Sequence, residues 1–279
     1  MAINKSVPIS AVELDNEKLV LSVSEDVRLW SVLDGTITTL NDTGGNVGRL
    51  RSCAFAGCSA LNNVALPACT YVDFAAFSGC SSLTTVEIPK CSYVQTNAFY
   101  SCSSLQTADF PVCSFVAQQA FFRCRSLVDA LFPLCSKIGT SAFTQCSSLT
   151  NVSFPTCSYI ESNAFYGCVS LEHVDFPKCT YIGQSAFRSC TALTTAVFSD
   201  CNTIGVSAFA GCSALTKFVI NTSSCSLNVT AFYSTPISSS GLLGYFGSIY
   251  VPDEYVSLYQ SSYLWSTYSS RITGISNLT

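Results

Sequence analysis

The sequence predicts an α/β-type solenoid, predominantly β with irregular return segments, in which short turns of chain stack into a long coil. Three observations carry that expectation. From Cys58 to Cys212 a cysteine falls at every eleventh residue, fifteen times without a slip. Proline recurs every 22 residues, at Pro67, Pro89, Pro111, Pro133, Pro155 and Pro177. The units between them are rich in Ser, Thr, Val, Phe and Tyr, which favour extended chain over helix. An unbroken spacing over more than half of a chain is the mark of stacked repeats. An 11-residue period also fits a helical supercoil, but regular proline would break any continuous helix.

The elements follow in order. Residues 1–50 stand outside the repeat and are expected to form a β-rich cap or attachment segment. AVELDNEKLVLSVSEDVRLWSV alternates in β fashion before the turn-like NDTGGNVG. Residues 51–234 form the array. Full 22-residue copies begin at Cys58, Cys80, Cys102, Cys124, Cys146, Cys168 and Cys190; an eighth begins at Cys212 and loses register, its second cysteine being Cys225. In the copy 80–101, Val86 and Ile88 are expected to point inward from a short strand, Leu83 to fill the corner before it, and Cys91 to take a buried turn. Val94, Ala98 and Phe99 then return the chain, with Phe99 as the bulk filler. Both halves open on C-x-x-(Leu/Ile/Val), which is why cysteine marks half the period. A single 22-residue turn buries too few apolar side chains to offset the ordering of its backbone, so the turns must fold together. Residues 235–279 are read as a C-terminal cap, with SIYVP as a strand, DEYVSLYQSS as a short helix with acidic residues in its first turn, and RITGI as a closing strand. Trp30 and Trp265 are expected to plug the two ends.

Composition narrows the function. With 48% hydrophobic and 11% charged residues, the chain still lacks a run of the roughly 18–20 apolar residues that a membrane span needs. Its formal charge of -4 gives no basic footprint for nucleic acid or anionic lipid. The N-terminus lacks the charged, apolar and small-residue succession of a secretory signal, so either the chain is not exported by that route or the sequence given starts beyond such a segment. Seventeen cysteines in so regular a pattern, and in odd number, read as reduced, buried structural thiols and not as a disulfide framework. No metal is expected, since there is no C-x-x-C pair and His173 is the sole histidine. No cofactor fingerprint or nucleophile motif is present, and the chain is not expected to be an enzyme. NVS at 151–153 and NVT at 228–230 match glycosylation sequons, which arise often by chance.

Two surface columns are the candidate sites. Outward strand positions contribute Glu87, Asp109, Asp129 and Asp175, with Glu172 and His173 beside them, an acidic stripe that is either a solvated strand face or a site for a cation or basic partner. Two residues after each second cysteine come Tyr71, Tyr93, Phe115, Lys137, Tyr159, Tyr181 and Thr203. Here Lys137 and Thr203 interrupt an aromatic row at a corner open to solvent. Such rings either stack from turn to turn for stability or present flat apolar faces to a sugar or protein partner. A repeat array offers a ladder surface and not a deep pocket, so a non-catalytic binding or adhesion module is expected, with a structural spacer or assembly component as the alternative.

The unit AF-x-x-C-x-x-L-x-x-(V/I)-x-(L/F)-P, repeated through 54–232, resembles the BspA-type bacterial leucine-rich repeats, with Ser199 replacing one proline. The closing IYVPDEYVSLYQSSYLWSTYSSRITGI is similar to the C-terminal caps of such arrays. The resemblance implies a right-handed solenoid with strands on one face. It further implies a cell-surface, secreted or virion protein that adheres to a protein or glycan ligand on a host or neighbouring cell.

Overall fold

The computed structural model describes residues 12–15, 18–21, 37–42, 45, 47–228, 230–238 and 246–278. Trp30, and parts of NDTGGNVG and of the NVT triplet, lie outside the described residues. Each 22-residue unit makes one turn of a coil, and like positions pair in parallel register, as Asn63 with Thr85 and Tyr71 with Tyr93. The repeat distance in sequence is therefore the pairing distance in space.

Two strand ladders run along the coil, not one. The first comes from the L-x-x-V-x-I half: Thr39–Asn41, Asn63–Ala65, Thr85–Glu87, Thr107–Asp109, Asp129–Leu131, Asn151–Ser153, His173–Asp175, Thr195–Phe198 and Lys217–Ile220. The second comes from the return half, Arg49–Leu50 through Tyr71–Val72 to Ser226–Leu227, and its nine two-residue strands form one unbroken sheet. The first ladder has gaps between Thr85–Glu87 and Thr107–Asp109, and between Asn151–Ser153 and His173–Asp175. Val86 and Val152, the inward residues just before these gaps, are partly buried, whereas Val64 and Val174 are fully buried. Pairing already begins at Thr39, which meets Asn63, and the antiparallel hairpin Val12–Asp15/Lys18–Leu21 extends that sheet outward.

The third side is a stack of turns. In one unit Asn97, Phe99 and Ser101 donate their N–H along the coil axis to Gln118, Ala120 and Phe122 carbonyls, while Ala98, Tyr100 and Cys102 close bonds within their own turn. The alternation requires left-handed backbone at two positions per turn, and non-glycine residues accept it: Asn97 at φ 60 and Ser101 at φ 57. Such conformations cost roughly 1–2 kcal/mol each for an L-residue. The hydrogen bonds to both neighbouring turns hold them in place.

Packing explains the phenylalanines and cysteines. Phe55, Phe77, Phe99, Phe121, Phe143, Phe165, Phe187 and Phe209 form one buried column with successive centroids 5.1–5.5 Å apart. Phe110, Phe132, Phe154, Phe176 and Phe198 form a second, which meets the first mostly edge-to-face, as Phe132 meets Phe143 at 6.0 Å. Cysteines of the first half donate Sγ–H to a phenylalanine carbonyl 25 residues earlier, Cys102 to Phe77 at 3.1 Å. Those of the second half donate to the carbonyl two residues on, Cys91 to Tyr93 at 3.2 Å. The slot thus wants a small apolar body with a weak donor, which cysteine supplies and alanine does not. All seventeen thiols are free, and all but Cys53 are buried. Burial pushes the Cys113 thiol up to about 11 and that of Cys157 to about 12.

The coil is closed at its C-terminal end by aromatics. One extra residue shifts the pairing there, so that Thr203 meets Ser226 and Cys225 Sγ lies 3.9 Å from Cys201 Sγ. Ser248–Val251 and Ile272–Gly274 add two strands to the first ladder. Between them Asp253 and Glu254 occupy a 3₁₀ turn that precedes the helix Val256–Ser261. Trp265 is buried, donates Nε1–H to the Cys225 carbonyl at 2.6 Å, and packs edge-on against Tyr259. Tyr268 meets Phe232 edge-on at 5.6 Å and ends the phenylalanine column. Among the described residues no helix is long and apolar enough to cross a membrane.

Candidate recognition surface

The second ladder positions the aromatic column. Val72, Val94 and their equivalents point into the core, so the preceding residue of each two-residue strand points outward. Parallel register then brings Tyr71, Tyr93, Phe115, Lys137, Tyr159, Tyr181 and Thr203 into one line. Tyr71 and Tyr93 stack at 5.4 Å with an interplanar angle of 4°, and Tyr159 and Tyr181 at 4.2 Å and 7°. Phe115 follows Tyr93 at 5.3 Å, tilted by 40°.

Lys137 does not interrupt this row. Its Nζ lies 5.8 Å from the Phe115 ring centroid and 5.3 Å from that of Tyr159, so a cation bridges the two aromatic segments through their negative faces. Glu161 holds Lys137 in place at 2.6 Å and also accepts from Thr140. Burial raises the Glu161 carboxyl, but the Lys137 and Thr140 hydrogen bonds and the Lys137 charge outweigh it and leave it below the usual range. The hydrogen bond to Glu161 in turn raises Lys137, against a smaller opposing effect of burial. At the N-terminal end the Arg49 guanidinium covers the Tyr71 ring at 4.3 Å and pairs with Asp73 at 3.0 Å. Sequence reasoning missed Arg49 because it precedes the first full copy. It missed the role of Lys137 because a hydropathy pattern scores a cation among rings as an interruption.

Stacking also decides what the column offers. Of the two alternatives the sequence left open, the rings take turn-to-turn stacking, so solvent meets mainly ring edges, hydroxyls and the two cations. Tyr71, Tyr93, Phe115 and Tyr181 are half-buried and Tyr159 is exposed. A shorter stack of Tyr100 on Phe122 at 5.0 Å, with Arg123 over Phe122, stands on the turn side and was not anticipated.

The acidic residues form two groups and not one stripe. Glu87 and Asp109 occupy equivalent positions in adjacent turns, either side of the first gap in the ladder. Asp129 sits one turn further on, where Asn151 donates to its carboxylate at 3.0 Å. In the column of Glu87 and Asp109 the next residues are Leu131 and Ser153, and acid returns only with Asp175, on the strand that also carries His173, with Glu172 just before it. Glu87, Asp109, Glu172, His173 and Asp175 are exposed. Among the described residues no group of three or more His, Cys, Asp or Glu side chains is placed to hold a metal ion. Glu87 and Asp109 line an open cleft of about 450 Å³ that also reaches Asp42, Val86 and three prolines.

Comparisons with known proteins agree with this architecture. The sequence profile of the BspA type leucine rich repeat region matches in six copies over residues 38–134 and 114–239. Among solved structures, the Treponema pallidum leucine-rich repeat protein is similar at 25% identity and a TM-score of 0.50, over 68% of this chain and 91% of that one. A leucine-rich cell surface protein from Faecalibacterium prausnitzii aligns at 20% identity and a TM-score of 0.43, over 96% of this chain and 86% of that one. No curated protein matches the sequence.

Proposed function

Because the chain belongs to the BspA-type leucine-rich-repeat family, a repeat-based interaction or surface module, we propose that it is a non-catalytic recognition module that binds a protein partner along its second ladder. The observation that carries this reading is the continuous row from Arg49 to Tyr181, in which two cations flank and join stacks of aromatic rings at a largely half-buried surface. Tyrosine and arginine in rigid, partly desolvated settings are the side chains that dominate protein interfaces. Stacking fixes their rotamers before any partner arrives, so little side-chain entropy remains to be lost on binding. A protein partner suits the row better than a glycan does, because the ring faces on which a sugar would lie are already taken. Many weak contacts repeated along the coil add up to avidity. The setting proposed is a cell or particle surface, with the ligand on a host or neighbouring cell.

The test compares wild type with Tyr93→Ala plus Tyr159→Ala on matched panels of immobilised extracellular-matrix proteins and glycans. Binding to a protein that falls at least ~10-fold in the double variant supports the reading. Binding to glycans alone would move the ligand class. Binding to neither panel, with self-association lost on deleting residues 1–50, would make the chain a spacer or assembly part instead.

A further inference from the structure

The cleft at the first gap of the strand ladder has features that the recognition row does not use. Continued register would set Glu87 directly beside Asp109, as Ala65 is set beside Glu87 and Asp109 beside Leu131. Like charges on directly paired strand positions repel. The ladder opens at that place: Leu66 donates to the Glu87 carbonyl and Phe110 to the Leu131 carbonyl, while Thr85–Glu87 and Thr107–Asp109 belong to separate sheets. The second gap, before His173–Asp175, has Ser153 opposite Asp175 and no such pair of charges. Among the described residues neither Glu87 nor Asp109 has a cationic partner, whereas Asp73, Glu161 and Asp200 pair with Arg49, Lys137 and Lys178.

A second and independent feature lies in the same cleft. Asp42 stands where later turns place Leu66 and Ile88, in line with the core, and it is fully buried. Its Oδ2 accepts from the Val47 N–H at 2.7 Å, whereas its Oδ1 is buried without a hydrogen-bond partner. A buried carboxylate oxygen left unpaired is costly, and such groups mark places where a partner is wanted. The cleft wall is apolar, formed by Val86 and the proline row Pro67, Pro89 and Pro111. The exposed carboxylates of Glu87 and Asp109 over this apolar wall match a side chain with a cationic head and an aliphatic stem.

We propose that this cleft takes a lysine or arginine side chain from an extended basic segment of a partner protein. The cationic head sits between the carboxylates of Glu87 and Asp109, and the stem lies on the proline row. The cation relieves the like-charge repulsion between these two carboxylates. The inference deepens the recognition reading by giving the partner a basic segment, but it concerns the first ladder, on another side of the coil from the aromatic row.

The experiment titrates capped pentapeptides with a central Arg, Lys or Gln into ¹⁵N-labelled protein at low salt and follows amide shifts by NMR. Expected are saturable shifts at Glu87, Ile88 and Asp109 with the Arg and Lys peptides and none with Gln. Glu87→Gln plus Asp109→Asn should weaken binding at least ~10-fold, consistent with removal of both charges facing the head group. Both side chains are exposed, so the double variant keeps the fold, checked by circular dichroism. Equal shifts with the Gln peptide, unchanged affinity in the double variant, or saturation of the same amides by micromolar calcium would each overturn the proposal. Tyr93→Ala plus Tyr159→Ala should leave the peptide shifts intact, so failure of this site and failure of the aromatic row are separate outcomes.

Discussion

Replacement of Phe143 by alanine tests whether the coil is held by its ring columns. Phe143 is fully buried and has four ring neighbours: Phe121 and Phe165 stacked at 5.2 and 5.3 Å, Phe132 and Phe154 edge-on at 6.0 and 5.8 Å. Phe55, also buried, has one such neighbour among the described residues, Phe77 at 5.5 Å. Truncation of a buried phenylalanine to alanine costs about 3–5 kcal/mol. Each ring pair adds roughly 0.5–1.5 kcal/mol beyond area burial, so three further partners place Phe143→Ala about 2 kcal/mol or more above Phe55→Ala. In a solenoid the loss should stay with the mutated turn and its neighbours, because each repeat touches only the adjacent ones. Native-state hydrogen exchange reads this directly. The Phe143 amide, bonded to the Ala164 carbonyl, and those of adjoining turns should lose protection, while distant turns keep theirs. Equal costs for Phe143→Ala and Phe55→Ala, or uniform loss of protection along the coil, would refute the reasoning.

Three more outcomes follow from the geometry. In native protein one thiol of seventeen, Cys53, should react promptly with a thiol reagent, the others only on unfolding, since burial shields them from the reagent; counting labels by mass spectrometry checks this. Gly183→Ala should destabilise by about 1–3 kcal/mol, because its Cβ would meet the Glu161 carbonyl carbon at 2.6 Å, whereas Gly48→Ala, with open space around it, should not; urea midpoints decide. The Lys137–Glu161 pair has a pH signature: the depressed Glu161 carboxyl stabilises the fold above the ordinary carboxylate range and loses that contribution as pH falls through its lowered value. The raised Lys137 amine acts at the other end, its contribution lost as pH rises through its elevated value. Glu161→Gln should therefore lower stability at neutral pH, by at most about 1 kcal/mol for so exposed a pair, and converge with wild type in strong acid; a constant difference across that range would contradict it.

Much of the coil was legible because its register is a counting problem. Cysteine at every eleventh residue and proline at every 22nd fixed which side chains share a column, and buried Leu83, Ile88, Cys91 and Phe99 follow from alternation within one copy. The second ladder was harder to read, since its two-residue strands are too short for any alternation to show. The left-handed positions were hidden as well: Gly57, Gly79, Gly167 and Gly211 mark one of the two columns, but Ser101, Arg123 and Gln145 take the same backbone without a compositional sign.

The candidate surface divides in the same way. Its membership came from spacing, so Tyr71 through Tyr181 could be named as a row. Its chemistry did not, because whether rings face solvent or one another depends on side-chain rotamers set by the turn above and the turn below. Lys137 reads as an interruption in one dimension and as a bridge in three.

Periodicity in the chain thus determined the coil, its period and the identity of its columns, for a repeat that pairs with its own copy 22 residues on carries its contact map in its spelling. Tertiary structure alone decided where the ladder opens between Glu87 and Asp109, how Asp42 comes to be buried beside that cleft, and which atoms of the aromatic row remain free. Those outcomes depend on packing, hydrogen bonding and desolvation between turns, and such forces act across space and leave no period in the sequence.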